Sequence, residues 1–376
     1  MCRHTPIAIA LVIVSVPAAR PHAQTETNEL RAYKVHPASV DGVMPFANYI
    51  RNSSSLSQRH RELLILRTAW LSRSPYYWSV HSARAAAAGL TRAEVTSIAG
   101  GPTAPGLDPF EATLLRTADE LHHQSFVSDA TWTALSGRYS RHQLMDAVFT
   151  VTEFSMLAGV ANTLRIPVDA GVREVPLPTG HRPLASSARR HVALAKPRVP
   201  PIEPADMTPA IKVMLDPGGN GRPVAAVYRT FAQHPPLYVT RQVLSEYIRL
   251  GSTLSPRVRE MLILRIGYLC QSAYEWAAHA RAGRAAGLSA DEIKRIAAGS
   301  EAGWSADDAA ILRAVDELYE NDAVSEPTWK ALGAQFDQKQ LLDVLITAGG
   351  YRMVSMALNT FGVPLEPDSE PLPPLP

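Results

Sequence analysis

Apolar and polar positions along this chain fall into helix-length blocks set off by capping residues. Nowhere do they alternate with a period of two through a run of β-branched residues, as a strand would need. Ser57 and Ser255 stand where a side-chain oxygen can accept from the free backbone N–H groups opening a helix, and Pro256 occupies a first helical position, where its missing N–H costs nothing. Gly89 and Gly287 are placed to end a helix in the left-handed conformation. Thr91-x-x-Glu94 and Ser289-x-x-Glu292 then read as reciprocal caps opening the next helix; Ser140-x-x-Gln143 and Asp337-x-x-Gln340 open a last long helix in the same way. The pattern predicts an all-α chain.

These signals come in pairs because the chain repeats itself. Residues 57–99 align without gaps on residues 255–297 with 20 of 43 positions identical. Arg61-Glu62 matches Arg259-Glu260, Leu64-Ile65-Leu66-Arg67 matches Leu262-Ile263-Leu264-Arg265, and Tyr76-x-Trp78-x-x-His81 matches Tyr274-x-Trp276-x-x-His279. Further on, Asp119-Glu120-Leu121 matches Asp316-Glu317-Leu318, Trp132 matches Trp329 and Asn162 matches Asn359. Agreement in order and spacing over this length means duplicated domains, longer than the units of a solenoid. The expected units are residues 25–166 and 205–364, each of about five or six helices. Between them, residues 167–204 form a proline-rich linker, and residues 365–376 form a similar tail; proline at this density blocks regular structure and favours a semi-extended chain. No counterpart of residues 228–238 is evident in the first repeat, so its N-terminal part is expected to be shorter or differently arranged.

Composition narrows the reading. Hydrophobic residues make up 46% and charged residues 19%, which is globular, and the formal net charge is only +2. No Lys/Arg run interleaves with aromatics, so nothing points to nucleic acid or an acidic membrane surface as partner. Residues 1–23 read as an export signal: Arg3 and His4, an apolar run over 7–16 too short to span a bilayer, then small residues and prolines, with cleavage after Ala18 or Ala23. No later segment reads as membrane-crossing, so the mature protein is expected in the periplasm or outside the cell. Cys2 leaves with the signal, and Cys270, left alone, reads as a small buried hydrophobe.

Candidate chemistry gathers on two consecutive helices of each repeat. The first carries Glu62 or Glu260, the second His81 or His279, with Trp78 or Trp276 three residues before the histidine. Glu275 lies four residues before His279, so both side chains project from one face, and a carboxylate beside an imidazole can tune it and pass a proton. Such a pair can equally be a solvated helix pair, and the Tyr and Trp positions can be ordinary core. In the first repeat Tyr77 stands where Glu275 would, and a phenol is a poor base near neutral pH. Arg67 and Arg265 are candidate clamps for a substrate carboxylate, or else salt bridges to a helix-end carboxylate. Adjacent His122 and His123 point apart on a helix and do not make a shared metal site; Gly100-Gly101 and Gly349-Gly350 match no phosphate-binding pattern.

The run Arg-Glu-Leu/Met-Leu-Ile-Leu-Arg, then Tyr-Glu-Trp-x-x-His, then Gly-Leu-Ser-x-x-Glu-Ile resembles the signature of the carboxymuconolactone decarboxylase / alkylhydroperoxidase D family, intact over 259–293 and with Tyr77 replacing the glutamate over 61–95. The resemblance implies two tandem alkylhydroperoxidase D-like helical domains forming a pseudo-dimer, and a trimer of chains as a pseudo-hexamer. It implies relay glutamates at Glu62 and Glu260 and histidines at His81 and His279. The Cys-x-x-Cys pair of the peroxidase branch maps onto Ser74 and Tyr77, and onto Ser272 and Glu275, so both thiols are missing in both repeats and the peroxide-reducing nucleophile with them. The other branch, cofactor-free decarboxylases of carboxylated lactones, fits better and implies no metal or cofactor. On that reading His279, Glu275, Glu260, His81 and Glu62 are the catalytic candidates, and Arg265, Arg67, Trp276, Tyr274, Trp78 and Tyr77 line a small-molecule substrate. A peroxidase and a non-catalytic binding or assembly module are the alternatives.

Overall fold

The computed structural model describes residues 26–180, 192, 194–221 and 223–375. The expected signal segment therefore lies outside the described residues. The described residues are 66% helical, with no strand among them. The first repeat contributes α1 (Asn28–Tyr33), α2 (Pro37–Asn52), α3 (Gln58–Leu71), α4 (Pro75–Ala85), α5 (Arg92–Ile98), α6 (Pro109–Gln124), α7 (Asp129–Ser136) and α8 (Arg141–Thr163). A short α9 (Pro209–Leu215) follows, and the set recurs as α10 (Ala226–Phe231), α11 (Pro235–Glu246), α12 (Pro256–Leu269), α13 (Ala273–Ala285), α14 (Ala290–Ala298), α15 (Ala306–Asn321), α16 (Glu326–Gly333) and α17 (Gln338–Phe361). Each repeat thus has eight helices rather than five or six. The four reciprocal caps form as their spacing predicts, and Asp108 with Glu111 makes a fifth.

The N-terminal parts of the repeats do correspond, which corrects the expectation drawn from residues 228–238. His36-Pro37 opens α2 and His234-Pro235 opens α11, each histidine at the N-cap, and the two pairs are 198 residues apart, like the aligned cores. The helices α1 and α10 obey the same offset. Their likeness is hidden because positions such as Glu29/Val227 and Val43/Arg241 differ in kind.

The core is built around α8 and α17, which pack on each other more extensively than any other pair of helices. Both are long and apolar enough to cross a membrane by composition, but 100% and 89% of the relevant windows is buried inside the fold, the condition of core helices. Gly349 allows their close approach: a Cβ there would fall 2.6 Å from Met156 Cγ.

Contacts between the repeats run in both directions. Asn162 donates to Ser72 O (2.7 Å) in its own repeat and to Asp322 O (3.0 Å) in the other, and Asn359 does the converse with Cys270 O (2.8 Å) and Ser125 O (3.2 Å). Asp146, wholly buried, accepts from Tyr49, from the backbone and hydroxyl of Ser55, and from His234 of the other repeat at 3.2 Å. Asp343 is held likewise by Tyr247 and Thr253, with His36 at 3.8 Å. Each buried carboxylate is satisfied by its own repeat and approached by a histidine from the other.

The described stretches that follow α8 and α17, residues 167–180 and 364–375, are docked straps. Past α8, the chain runs over its own repeat: Trp70 donates to Pro178 O (3.1 Å), and Asp169 accepts from Asn28 N (2.5 Å) and Tyr76 (3.0 Å). Past α17, Tyr268 donates to Pro374 O (3.1 Å), and Glu366 accepts from Ala226 N (2.6 Å) and Tyr274 (3.0 Å). In each repeat a strap carboxylate ties the start of its first helix to the tyrosine that opens the histidine helix.

Candidate active site

In the second repeat, α12 and α13 bring three of the predicted residues together. His279 Nδ1 donates to Glu260 Oε2 at 2.6 Å, and its Nε2 lies 3.4 Å from Glu275 Oε2. The imidazole is therefore bracketed by carboxylates at both nitrogens. Both glutamates are 5% exposed, whereas the His279 side chain is 17% exposed and so reachable. Tyr351 of α17 stands edge-on to the ring, 4.9 Å away. Burial lowers the histidine's pKa, but the Glu260 hydrogen bond and the charges of Glu275 and Glu260 outweigh it, and the net direction is up. Burial moves Glu275 upward too, opposed by His279 and Arg241. His279 thus favours its protonated form, which is a proton donor.

The first repeat builds a different site on the same helices. His81 Nδ1 donates to Glu62 at 2.7 Å, and Phe154, at the position of Tyr351, stands edge-on at 5.0 Å. Here His81 is only 1% exposed, and burial outweighs Glu62, so its pKa falls and the ring favours neutrality. Tyr77 does not face the histidine as a base. It donates to Glu29 at 2.6 Å, and Glu29 is paired with Arg51 at 2.5 Å. Burial and the neighbouring Glu29 carboxylate push the phenol well above its ordinary pKa. A cavity of about 520 Å³ opens beside this network, with Glu29, Asn48, Arg51, Tyr77, His81 and Arg84 in its wall. The carboxylate absent from the Tyr77 position is therefore supplied by α1.

Five predicted site residues are placed elsewhere. Arg67 and Arg265 are held in structural locks rather than offered as substrate clamps: each Nε donates to an aspartate, Asp119 or Asp316, at 2.6 Å, and each Nη1 to two carbonyls at the end of α5 or α14. Nε and Nη1 of both are thus already spent on protein acceptors. Gly101 (φ +76) and Gly299 (φ +102) sit against those guanidinium groups, where a Cβ would come within 2.8 and 3.0 Å of Nη2; that contact, not a phosphate, accounts for the glycines. Trp78 and Trp276 are 1% exposed core residues. Tyr274 is the strap anchor described above, with Val227 N donating to its hydroxyl at 3.4 Å. Cys270 is buried at 1% exposure, as its apolar setting predicts.

Sequence reading missed Glu29, Arg51, Arg241 and Tyr351. Glu29 and Arg241 are matched by Val227 and Val43, and Arg51, matched by Arg249, lies before the aligned stretch 57–99, so self-comparison passes over them. Tyr351 carried a signal: it occupies the Phe154 position, a one-oxygen difference beside the histidine.

The model of the carboxymuconolactone decarboxylase family matches this chain twice, over residues 37–120 and 235–317, each match beginning at the proline that opens α2 or α11. No curated protein matches the chain, and no solved structure does.

Proposed function

We propose that this chain, whose two repeats belong to the carboxymuconolactone decarboxylase family, is a cofactor-independent acid/base enzyme, a carboxy-lyase acting on a small carboxylated, lactone-like substrate. The observation that carries the reading is the setting of His279: a solvent-reachable imidazole between Glu260 and Glu275, favouring the protonated form. In a β,γ-unsaturated lactone acid the C–CO2 bond breaks, its electron pair passes into the ring carbonyl as a dienolate, and carbon dioxide leaves. His279 Nε2 then gives its proton to the dienolate carbon and is reprotonated from solvent, with Glu275 beside it. Glu260 holds Nδ1–H and fixes the tautomer and the ring plane.

Mass spectrometry of the purified mature protein with a panel of carboxylated lactones tests this directly. Loss of 44 mass units from one member, dependent on His279, is the expected result; an unchanged panel would sink the lyase reading. The peroxidase alternative is opposed by Ser74, Tyr77, Ser272 and Glu275 at the thiol positions, and peroxide should persist in the presence of a dithiol reductant. The binding-module alternative has one observation in its favour, the deep burial of His81, and it applies to the first repeat.

We also place the enzyme outside the cytoplasm, on the pattern of residues 1–23. N-terminal sequencing of protein from the native host should begin between residues 19 and 26. An intact Met1 in soluble cytosol would refute export.

A further inference from the structure

Two buried arginines border the half-sites, and they differ in one respect. Arg51 has a counter-charge: Glu29 lies 2.5 Å away, and although burial opposes it, this pairing raises the arginine's pKa. Arg241 of α11 is 8% exposed and makes no ion pair or hydrogen bond to a described residue; its Nε is buried without a partner. The guanidinium lies over the Phe231 ring, 5.1 Å from the centroid, which fixes its plane and leaves its donor edge unused. Burial outweighs the nearby acidic groups and pushes it below the ordinary arginine value.

Its surroundings are those of the second half-site. Arg241 lies within electrostatic reach of Glu275, the residue 3.4 Å from His279 Nε2, and of the hydroxyl of Tyr351, whose ring abuts His279. A buried guanidinium without hydrogen bonds is costly, and a carboxylate matches its fork with two parallel bonds. The first repeat shows how such a charge is satisfied in this fold: Glu29 gives Arg51 an internal carboxylate, and the equivalent of Glu29 in the second repeat is Val227.

We propose that Arg241 is the carboxylate-binding residue of the second half-site, holding a small organic acid so that its ring reaches His279. This deepens the acid/base reading and rests on it for the role of His279, but binding is measurable without turnover.

Isothermal titration of the mature protein with 5-oxotetrahydrofuran-2-carboxylate and with its neutral methyl ester tests it. Wild type should bind the acid in preference to the ester. Arg241→Met should weaken acid binding by about 10–100-fold, as expected for losing hydrogen bonds to a charged group, and leave ester binding unchanged; Arg241→Lys should recover part of the loss. Should Arg241→Met not fold, the wild-type Arg241 Nε–H resonance gives the answer without a variant, since the acid should shift it and the ester should not. Equal binding of acid and ester, acid binding unaffected by Arg241→Met, or no acid binding at all would overturn the proposal. His279→Ala separates the two readings: acid binding retained with no lactone decarboxylated by wild type would leave Arg241 standing and refute the lyase.

Discussion

Replacing His279 by alanine should lower turnover by about 10²–10⁴-fold, the usual span of general acid/base catalysis, while His81→Ala should lose far less. Both histidines hold a glutamate of the preceding helix at nearly the same distance, 2.6 and 2.7 Å, so that dyad does not separate them. What separates them is the second nitrogen. His279 meets Glu275 there and is drawn toward the imidazolium, whereas His81 has Tyr77 at the matching position, and that phenol is bound to Glu29. Access differs too, at 17% against 1% of the side chain. As a donor, His279 is active while protonated, so the rate should fall as pH rises through a value above the ordinary histidine range. Glu275→Gln removes one of the charges that lifts that pKa and should move the fall to lower pH. Rates of the single mutants, compared at equal folded fraction, check the assignment. Equal losses would mean that the two sites are coupled, and loss in His81→Ala alone would reverse the roles.

The features visible in the sequence were those that both repeats share. Helix starts, the duplicated core and the dyads Glu62–His81 and Glu260–His279 appear twice at fixed spacing, so each copy supports the other. The same filter misled on Arg67 and Arg265, which recur because both repeats need the same lock between α3 and α6 or between α12 and α15. Tyr76 and Tyr274 recur as strap anchors for a similar reason. Chemistry that distinguishes the halves had to escape it. Glu29 and Arg241 replace Val227 and Val43 at matching positions, and with Arg51 they sit on helices α1, α11 and α2, joined to the histidines only by tertiary packing, which no local spacing reports. Proline density describes the backbone and is silent about docking, so in the sequence the straps look like connectors. Asp169 and Glu366, one per strap at matching places, carry that information once the anchoring tyrosines are known.

Glu153→Gln should stabilise the protein progressively as pH rises toward 8. Glu153 lies on α8, wholly buried, and neither carboxyl oxygen has a hydrogen-bond partner. Burial lifts its pKa to about 8, with Arg51 and Arg241 pulling down and Glu29 pushing up. A folded-state value above the unfolded one means that the native state holds a proton the unfolded chain releases. The stability this provides is complete below about pH 4.5 and disappears as pH rises through about 8. At about 1.4 kcal/mol per pH unit, a few kcal/mol is lost across that window. Glutamine keeps the shape and cannot ionise; its unpartnered amide adds a penalty that does not vary with pH. Urea unfolding of both proteins at pH 5, 6, 7 and 8 and constant ionic strength should therefore show a difference that widens toward pH 8. A constant offset would mean that Glu153 is not held protonated by the fold. The same proton bears on the second half-site, because below pH 8 Glu153 is mostly neutral and supplies little counter-charge to Arg241, whose guanidinium then keeps its charge for a ligand carboxylate. Acid binding should accordingly weaken as Glu153 ionises, and in Glu153→Gln that weakening should vanish.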